Sequence, residues 1–418
     1  MSYSGSGADL TTAKKSNWRS VLQAVLSFIA SIFLFGLAAL FLGLWAWGGP
    51  SQNAVVSDRG MFFTLALVFL TLGLLTLPSA ISSLYRIKNR ALPAWLDTNS
   101  PRMHTWMRYS ILALPFILGL GWLAGKNPDI SGILLPLLGI LAICLPLLWL
   151  VHFGCWDLEG GSPQRKWGLL GLGLTGTPLL IIFVEVIALI IGLAVFAIWA
   201  SSRPEVMDLL TRLGMQFTTA GTDLDAILES LQPYLTQPSV IFWIMVVVAV
   251  ITPLIEETLK PLGVWLLAGR QLSPSEGYVA GLISGAGFAL IEGLFNLINA
   301  TDGQTWIFLT IGRVGGSLLH IFTGGLTGWG LASTWRQGKP LKFLGTFSLS
   351  VFIHGLWNAF ALAAALLPFI LQPDKTPNDF ESLLYYLPVL ILGLLILAAY
   401  ISFTLLLRRQ SQDVEMVK

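Results

Sequence analysis

The sequence predicts an all-α polytopic membrane protein with about ten transmembrane helices, and three observations predict this class. The chain has 418 residues, of which 55% are hydrophobic and only 11% charged, whereas soluble domains carry about 25% charged residues. Its apolar residues are gathered in runs long enough to cross a bilayer. Lysine and arginine residues are enriched in every second segment that connects these runs, which is the pattern of the positive-inside rule.

Ten apolar runs have the length of a transmembrane span, and we number them one to ten. They cover residues 20–47, 60–86, 107–125, 130–152, 168–200, 238–268, 276–300, 304–334, 343–371 and 381–407. The first run is longer than the core of a signal peptide, so it is predicted to be a retained span. The two cysteines, Cys144 and Cys155, are too few for a disulfide framework or a cysteine-rich zinc site. The net charge of +2 gives no reason to expect a nucleic-acid partner.

The distribution of basic residues predicts the topology. If the N-terminus is cytoplasmic, 17 of the 24 lysine and arginine residues lie in cytoplasmic segments and 5 in extracytoplasmic ones. The other two, Lys260 and Arg313, lie within spans. Because the bias runs through the whole chain, both termini are predicted to be cytoplasmic.

A long extracytoplasmic segment, 201–237, separates the first five spans from the last five. It predicts two short amphipathic helices, each with four apolar residues on one face. These are Val206, Leu209, Leu210 and Leu213 in the first helix and Leu224, Ile227, Leu228 and Leu231 in the second. We favour a helical pair lying on the membrane surface over a lid or docking platform. The chain then divides into a five-span accessory region (1–200), this segment, a four-span core (238–371) and a last span with a tail (372–418).

Ionisable residues inside the membrane are concentrated in spans six to nine. Span six carries Glu256, Glu257 and Lys260, span seven Glu292 and Asn296, span eight Arg313 and His320, and span nine His354 and Asn358. Spacings of four or seven residues place side chains on one face of a helix. Since a charged residue facing lipid costs about 2.5–3.5 kcal/mol at mid-membrane, the polar faces are predicted to meet in a four-helix bundle. In the first five spans only Glu185 is comparable, and we interpret it as a packed carboxylate that is neutral or paired.

The two adjacent glutamates of span six cannot have the same role, because neighbours on a helix point about 100° apart. Glu256 is placed to pair with Lys260 one turn later, and Glu257 is placed less ideally for pairing with the same lysine. One carboxylate is then available as a general base. Pro253 and Pro261 bracket the pair and are expected to loosen the helix around it.

The remaining polar side chains complete the set needed to hydrolyse an amide with activated water. His320 and His354 can transfer protons or bind a metal ion, and Asn358 can donate its amide to a developing oxyanion. No serine or cysteine joins the cluster in a nucleophile–base motif, which disfavours a covalent acyl-enzyme. Arg313 is interpreted as a counter-charge for a glutamate, either Glu292 or the second glutamate of span six.

Four short motifs occur in order on consecutive spans: EETLK, GFALIEGLFN, RVGGSLLH and HGLWN. The ordered set resembles the PrsW family of intramembrane proteases over residues 238–371. It is more distantly similar to the CAAX protease and bacteriocin-processing superfamily, whose patterns are E-E-x-x-x-R, F-x-x-x-H and H-x-x-x-N. Phe288 to Glu292 fits the second pattern with glutamate in place of histidine. The family usually has asparagine after this glutamate, where this chain has Gly293, and Asn296 one turn later is expected to supply the amide.

The resemblance implies a glutamic-type intramembrane protease of the bacterial plasma membrane. Its partners would be the lipid bilayer and a membrane-embedded, single-span protein substrate such as an anti-sigma factor. Its predicted catalytic residues are Glu256, Glu257, Glu292, His320, His354 and Asn358, and its supporting residues are Lys260, Asn296 and Arg313. We prefer hydrolysis by a glutamate-activated water without a cofactor. The alternative is a catalytic zinc ion held by Glu292, His320 and His354.

Two other classes of function stay open at this stage. Polar faces at the midplane also mark transporters and channels. Transporters are often built from two similar halves, whereas the intramembrane charges of this chain are confined to one half. The departure at Gly293 is compatible with an inactive, protease-like scaffold, but the retention of every other polar position favours the enzyme.

Overall fold

The structure is a computed structural model that describes residues 18–47, 55–155, 158, 160–220, 237–300, 302–370 and 379–415. Within these ranges the chain is built from helices, turns and short loops, without a β-strand. The all-α class predicted from the sequence is confirmed.

The described residues form fifteen α-helices. They are α1 (Trp18–Trp47), α2 (Val55–Ile87), α3 (Pro101–Tyr109), α4 (Leu114–Ala124), α5 (Pro128–Gly154), α6 (Pro163–Leu174), α7 (Gly176–Ser201), α8 (Pro204–Ala220), α9 (Pro238–Val246), α10 (Thr252–Leu259), α11 (Leu262–Trp265), α12 (Pro274–Asn296), α13 (Gly303–Gln337), α14 (Pro340–Ile370) and α15 (Asp379–Glu415). A π-helical segment, Val247–Ile251, joins α9 to α10. Helix starts follow local capping rules: at α12, for example, Ser273 and Glu276 form a capping box.

Ten stretches of the described residues are long and apolar enough to cross a membrane. They are Trp18–Trp47, Arg59–Ile87, Pro101–Ala124, Ile130–Gly154, Pro163–Ser201, Pro238–Trp265, Pro274–Asn299, Gly303–Gln337, Pro340–Leu367 and Leu383–Arg409. Span five is composed of α6 and α7, and span six of α9, the π-helical segment, α10 and α11. The predicted number of spans is confirmed.

Spans seven and eight form the core of the bundle. In the most apolar stretch of each, 72% and 61% of the residues are buried, against 6% in spans five and six. The two backbones touch because glycines line the contact. A side chain at Gly281 would overlap the carbonyl oxygen of Gly324, and one at Gly285 would overlap that of His320. This close approach holds the turn that carries the His320 side chain directly against span seven.

A buried polar network near the start of span five ties the first spans together. The side-chain nitrogen of Gln164 lies 3.0 Å from Ser20 Oγ, 3.2 Å from Gln23 Oε1 and 3.3 Å from Ser83 Oγ. These contacts connect spans one, two and five. Because α6 also packs against α12, the start of span five is held beside the core.

Helix α8, which begins at Pro204, is the first of the two amphipathic helices expected in the segment 201–237. The second expected helix, which contains Leu224 and Leu231, lies outside the described residues. Placement of this segment on the membrane surface stays a prediction.

The glycine contact between spans seven and eight generates a stability prediction. Gly281→Ala is expected to lower the free energy of unfolding by about 1–3 kcal/mol, because the new methyl group overlaps backbone that cannot move independently. The matched control is Gly312→Ala on span eight, where a methyl group would meet open space. That change is expected to be neutral or to stabilise by about 0.5–1 kcal/mol. Denaturant titration in mixed micelles measures both, and equal effects would contradict the packing argument.

Candidate active site

The polar faces of spans six, seven, eight and nine meet in one cluster inside the bundle. Glu257, Lys260, His320 and His354 are buried there, with at most 3% of each residue exposed. The two imidazole rings stand nearly perpendicular, with their centroids 5.0 Å apart. Residues separated by up to a hundred positions in the chain are thus brought into direct contact, as the matching polar faces predict.

Glu257 holds the cluster together through one carboxylate oxygen. Its Oε1 accepts hydrogen bonds from Lys260 Nζ at 2.5 Å, His354 Nδ1 at 2.8 Å and Thr323 Oγ1 at 3.1 Å. These donors replace part of the water that a fully buried carboxylate loses, while its Oε2 has no hydrogen-bond partner among the described residues. The expected pair between Glu256 and Lys260 is wrong. The lysine bonds the glutamate three residues earlier, because that glutamate shares its buried side of the helix.

The hydrogen-bond partners assign a tautomer to each histidine. The Lys260 ammonium can only donate, so His320 Nδ1, which lies 2.9 Å from it, is the acceptor. The proton of neutral His320 is then on Nε2, which donates to Glu292 Oε2 at 2.7 Å. His354 donates from Nδ1 to the ionised Glu257 carboxylate, which leaves the lone pair of His354 on Nε2.

That lone pair points toward the second glutamate of span six. His354 Nε2 lies 3.7 Å from Glu256 Oε2, and the glutamate side chain is only 13% exposed. Among the described residues, no hydrogen-bond donor reaches this buried carboxylate oxygen. Two acceptors therefore face each other in a place where an unpaired acceptor is costly. A donor or a cation that bonds to both atoms would relieve this cost.

Glu292 is anchored on the other side of the cluster. Its Oε1 accepts from Arg313 at 2.6 Å and its Oε2 accepts from His320. Arg313 is thus confirmed as the counter-charge of Glu292. Asn296 Nδ2 donates to the backbone carbonyl of Glu292 at 2.8 Å, within its own helix. The supply of its other amide N–H to the cluster stays a prediction.

The packing of span seven explains the glycine that follows Glu292. A side chain at Gly293 would begin 3.0 Å from Ile143 Cγ2 on span four, closer than most methyl contacts. A larger residue here would require the Ile143 side chain to move by a few tenths of an ångström. The close packing of spans four and seven thus gives a structural reason for a small residue at Gly293.

Asn358 has a backbone partner that follows from the π-helical segment. Thr252 N–H donates to the carbonyl of Val247, five residues earlier. The next donor in that register would be residue 253, which is a proline and has no N–H. Asn358 Nδ2 donates instead to the carbonyl of Val248, at 3.0 Å. The expected loosening of span six is thus observed, and the oxyanion role of Asn358 stays a prediction for its second N–H.

Three side chains could also hold a divalent metal ion once His320 gives up one of its two hydrogen bonds, and they differ from the predicted ligands. The three residues whose ligand atoms lie within 4.8 Å of one another are Glu256, His320 and His354, whereas Glu292 is engaged by Arg313. Oxygen and imidazole ligands suit zinc. The unpartnered oxygen of Glu256 and the free lone pair of His354 match such a site, and the carboxylate behind His354 is a common orienting partner of ligand histidines.

Sequence reasoning missed two residues near the cluster. Thr323, which bonds Glu257, lies three residues after His320 and so shares its helix face; that spacing could have identified it. Glu185 of span five was expected to be a packed carboxylate that is neutral or paired, and its carboxylate also lies close enough to Glu256 and Glu292 for electrostatic repulsion. Nothing in its local sequence indicates this proximity.

Comparison with known proteins gives one match. Residues 209–393 match the family described as PrsW family intramembrane metalloprotease. No curated protein and no solved structure matches the chain. The match contains all nine predicted site residues and extends beyond the region of resemblance on both sides. It supports an intramembrane protease that acts on membrane-embedded proteins.

The buried Glu257–Lys260 pair generates a double-variant prediction. Glu257→Gln or Lys260→Met leaves one buried charge uncompensated and is expected to cost about 3–5 kcal/mol. The double variant removes both charges and is expected to cost clearly less than the sum of the single effects. Denaturant titration in micelles measures all three. Arg212→Gln, which breaks an exposed salt bridge with Asp208, is the control and is expected to have little effect.

A double-mutant cycle tests whether Asn358 replaces the backbone donor that Pro253 lacks. Asn358→Ala leaves the Val248 carbonyl without its donor and is expected to cost about 1–3 kcal/mol. In a Pro253→Ala background a backbone N–H is available for that carbonyl, so the same change is expected to cost less. Unfolding free energies of the four proteins give the coupling. Strictly additive costs would show that the proline and the asparagine are not linked.

Proposed function

From the match of residues 209–393 to the PrsW family, we propose that this protein is an endopeptidase that hydrolyses peptide bonds of membrane-embedded proteins with a water activated by Glu256. The observation that carries this role is the pair of facing acceptors, Glu256 Oε2 and His354 Nε2, separated by 3.7 Å. A water molecule can donate one proton to each of them. Its oxygen is then directed away from both, as a nucleophile must be.

The environment of the two adjacent glutamates supports a choice between them. Glu257 Oε1 is engaged by three donors, so this carboxylate orients His354 and balances Lys260. Glu256 has no such partners and is placed to accept a proton as the water oxygen attacks the carbonyl carbon. It returns that proton to the amide nitrogen as the C–N bond breaks.

The other predicted residues have supporting roles in the proposed hydrolysis. His320 and Glu292 form a hydrogen-bonded pair that borders the water position, with Arg313 balancing the carboxylate. Asn358 keeps one amide N–H that is not needed at Val248, and we assign it to the developing oxyanion. Lys260 is a positioning residue, because it is fully buried behind the reacting atoms.

A metal ion would use the same atoms. Glu256, His320 and His354 would hold it, and a bound zinc ion would lower the pKa of its water and polarise the substrate carbonyl. We favour the metal-free mechanism because both ring nitrogens of His320 are already engaged, by Lys260 and by Glu292.

We further propose that both termini are cytoplasmic and that the protein lies in a bacterial plasma membrane, with spans six to nine as its catalytic core. The excess of basic residues in alternate segments supports this orientation. A substrate with a single transmembrane span, such as an anti-sigma factor, is what the resemblance of the four motifs to the PrsW family implies. A transporter is disfavoured because the cluster of ionisable residues has no counterpart in spans one to five, where Glu185 is the only comparable residue.

The deciding experiment compares membrane-protein fragments in cells that make the wild type, Glu256→Gln or Glu205→Gln. Mass spectrometry of new peptide ends is the measurement. Ends are expected with the wild type and with Glu205→Gln, a matched change on an exposed helix outside the spans, and they should be lost with Glu256→Gln. Identical ends in all three, with equal protein levels, would remove Glu256 from the mechanism. The absence of any end would favour an inactive scaffold.

A metal assay separates the two mechanisms. The purified wild type is expected to contain far less than one equivalent of zinc by elemental analysis, and to keep its activity after treatment with a strong chelator. Loss of activity on chelation, with recovery on adding zinc, would replace the metal-free mechanism by a zinc-dependent one at the same residues.

A further inference from the structure

We propose that Glu185 recognises a basic residue in the transmembrane segment of the substrate, and that this segment reaches the cluster between spans five and six. The inference rests on the proposed protease function. To that function the inference adds the charge of the substrate and the side from which the substrate approaches. It also adds a specificity residue that lies outside the region matching the family.

Glu185 lies on the packed face of span five. It shares that face with Ile181, Val184 and Ala188, which are buried or half-buried, while the residues between them are exposed. The face is turned toward span six, since α7 packs against α10, the helix that carries Glu256. Its carboxylate is also near enough to repel those of Glu256 and Glu292. Glu185 therefore borders the cluster rather than facing lipid alone.

The charges of this region do not balance. Lys260 is paired with Glu257 and Arg313 with Glu292. Glu256 and Glu185 have no cation partner among the described residues, so the region has four carboxylates and only two permanent cations. The unpaired oxygen of Glu256 is accounted for by the attacking water. Glu185 lies off that position, and an uncompensated carboxylate within the membrane is costly unless a cation or a proton joins it.

The helices beside Glu185 leave an opening. Span five is exposed on all sides from residue 189 to residue 199. On span six, no residue of Pro238–Val246 is buried, and the first buried residue is Pro253. In the described part of the chain, the two spans therefore touch beside Glu185 and Glu256 and stand apart beyond them. The space between them is a cleft that opens to lipid and narrows toward Glu185 and Glu256.

One occupant fits both features of this cleft. Its apolar walls suit a transmembrane helix, and its inner end suits a lysine or arginine side chain that can reach Glu185. Such a pair would be a charge-assisted hydrogen bond with little competing water. The backbone of the same helix would then lie beside Glu256. A lipid chain would fill the walls but leave the carboxylate unpaired, and an acidic segment would be repelled.

The test measures binding, so that it does not depend on cleavage. The protein carries Glu256→Gln, is reconstituted in nanodiscs, and is titrated with three labelled single-span peptides of leucine and alanine that differ at one central residue: lysine, glutamine or glutamate. The lysine peptide is expected to bind on the order of tenfold more tightly than the glutamine peptide. Adding Glu185→Gln should remove this difference, and adding Glu185→Lys should transfer the preference to the glutamate peptide.

Controls separate the proposal from its alternatives. Adding Glu205→Gln should leave all affinities unchanged, and thermal unfolding of each variant verifies that it is folded. Equal binding of the lysine and glutamine peptides, or no binding of any peptide, would overturn the role of Glu185. Tighter binding of the lysine peptide, together with no new peptide ends in the cell experiment, would instead contradict the proposed proteolysis and leave the role of Glu185 in binding intact. If Glu185 only carried a proton, Glu185→Gln would not change the preference for the lysine peptide.

Discussion

The structure of the cluster depends on one buried carboxylate oxygen, Glu257 Oε1. Three donors from three spans converge on it: Lys260 of span six, Thr323 of span eight and His354 of span nine. A charge without water is stable only when such donors surround it. This constraint sets the rotation of each helix about its own axis and leaves the tautomer of His354 no freedom. Everything that the cluster can do chemically follows from where that imidazole lone pair then points.

Two adjacent glutamates on one helix have different environments, one structural and one suited to chemistry. Glu257 is turned inward and its Oε1 accepts three hydrogen bonds, whereas Glu256 is rotated by about 100° and meets the lone pair of His354 without a donor between them. Two adjacent residues of the same type therefore have opposite environments. The π-helical segment before them contributes to this geometry, because Pro253 leaves a carbonyl that Asn358 binds from span nine.

The first half of the chain takes part in the site more than its sequence indicates. Span five reaches the cluster through its packed face and brings a fourth carboxylate to it. The outer part of span five is exposed and the outer part of span six contains no buried residue, which gives the cluster a side open to lipid. A protein that acts on other membrane proteins needs such a side, since its substrates cannot approach through water.

The sequence by itself determined the all-α membrane class, the ten spans and the four polar faces. Long apolar runs can satisfy their backbone in a bilayer only as helices, and charges within them must face one another. Tertiary structure alone decided which glutamate pairs with Lys260, what Asn296 and Asn358 bond, which residues can share a metal ion, and that Glu185 borders the cluster. These outcomes depend on the rotation and separation of whole helices. Glycine contacts and a π-helical register contribute to both, and local spacing does not predict either of them.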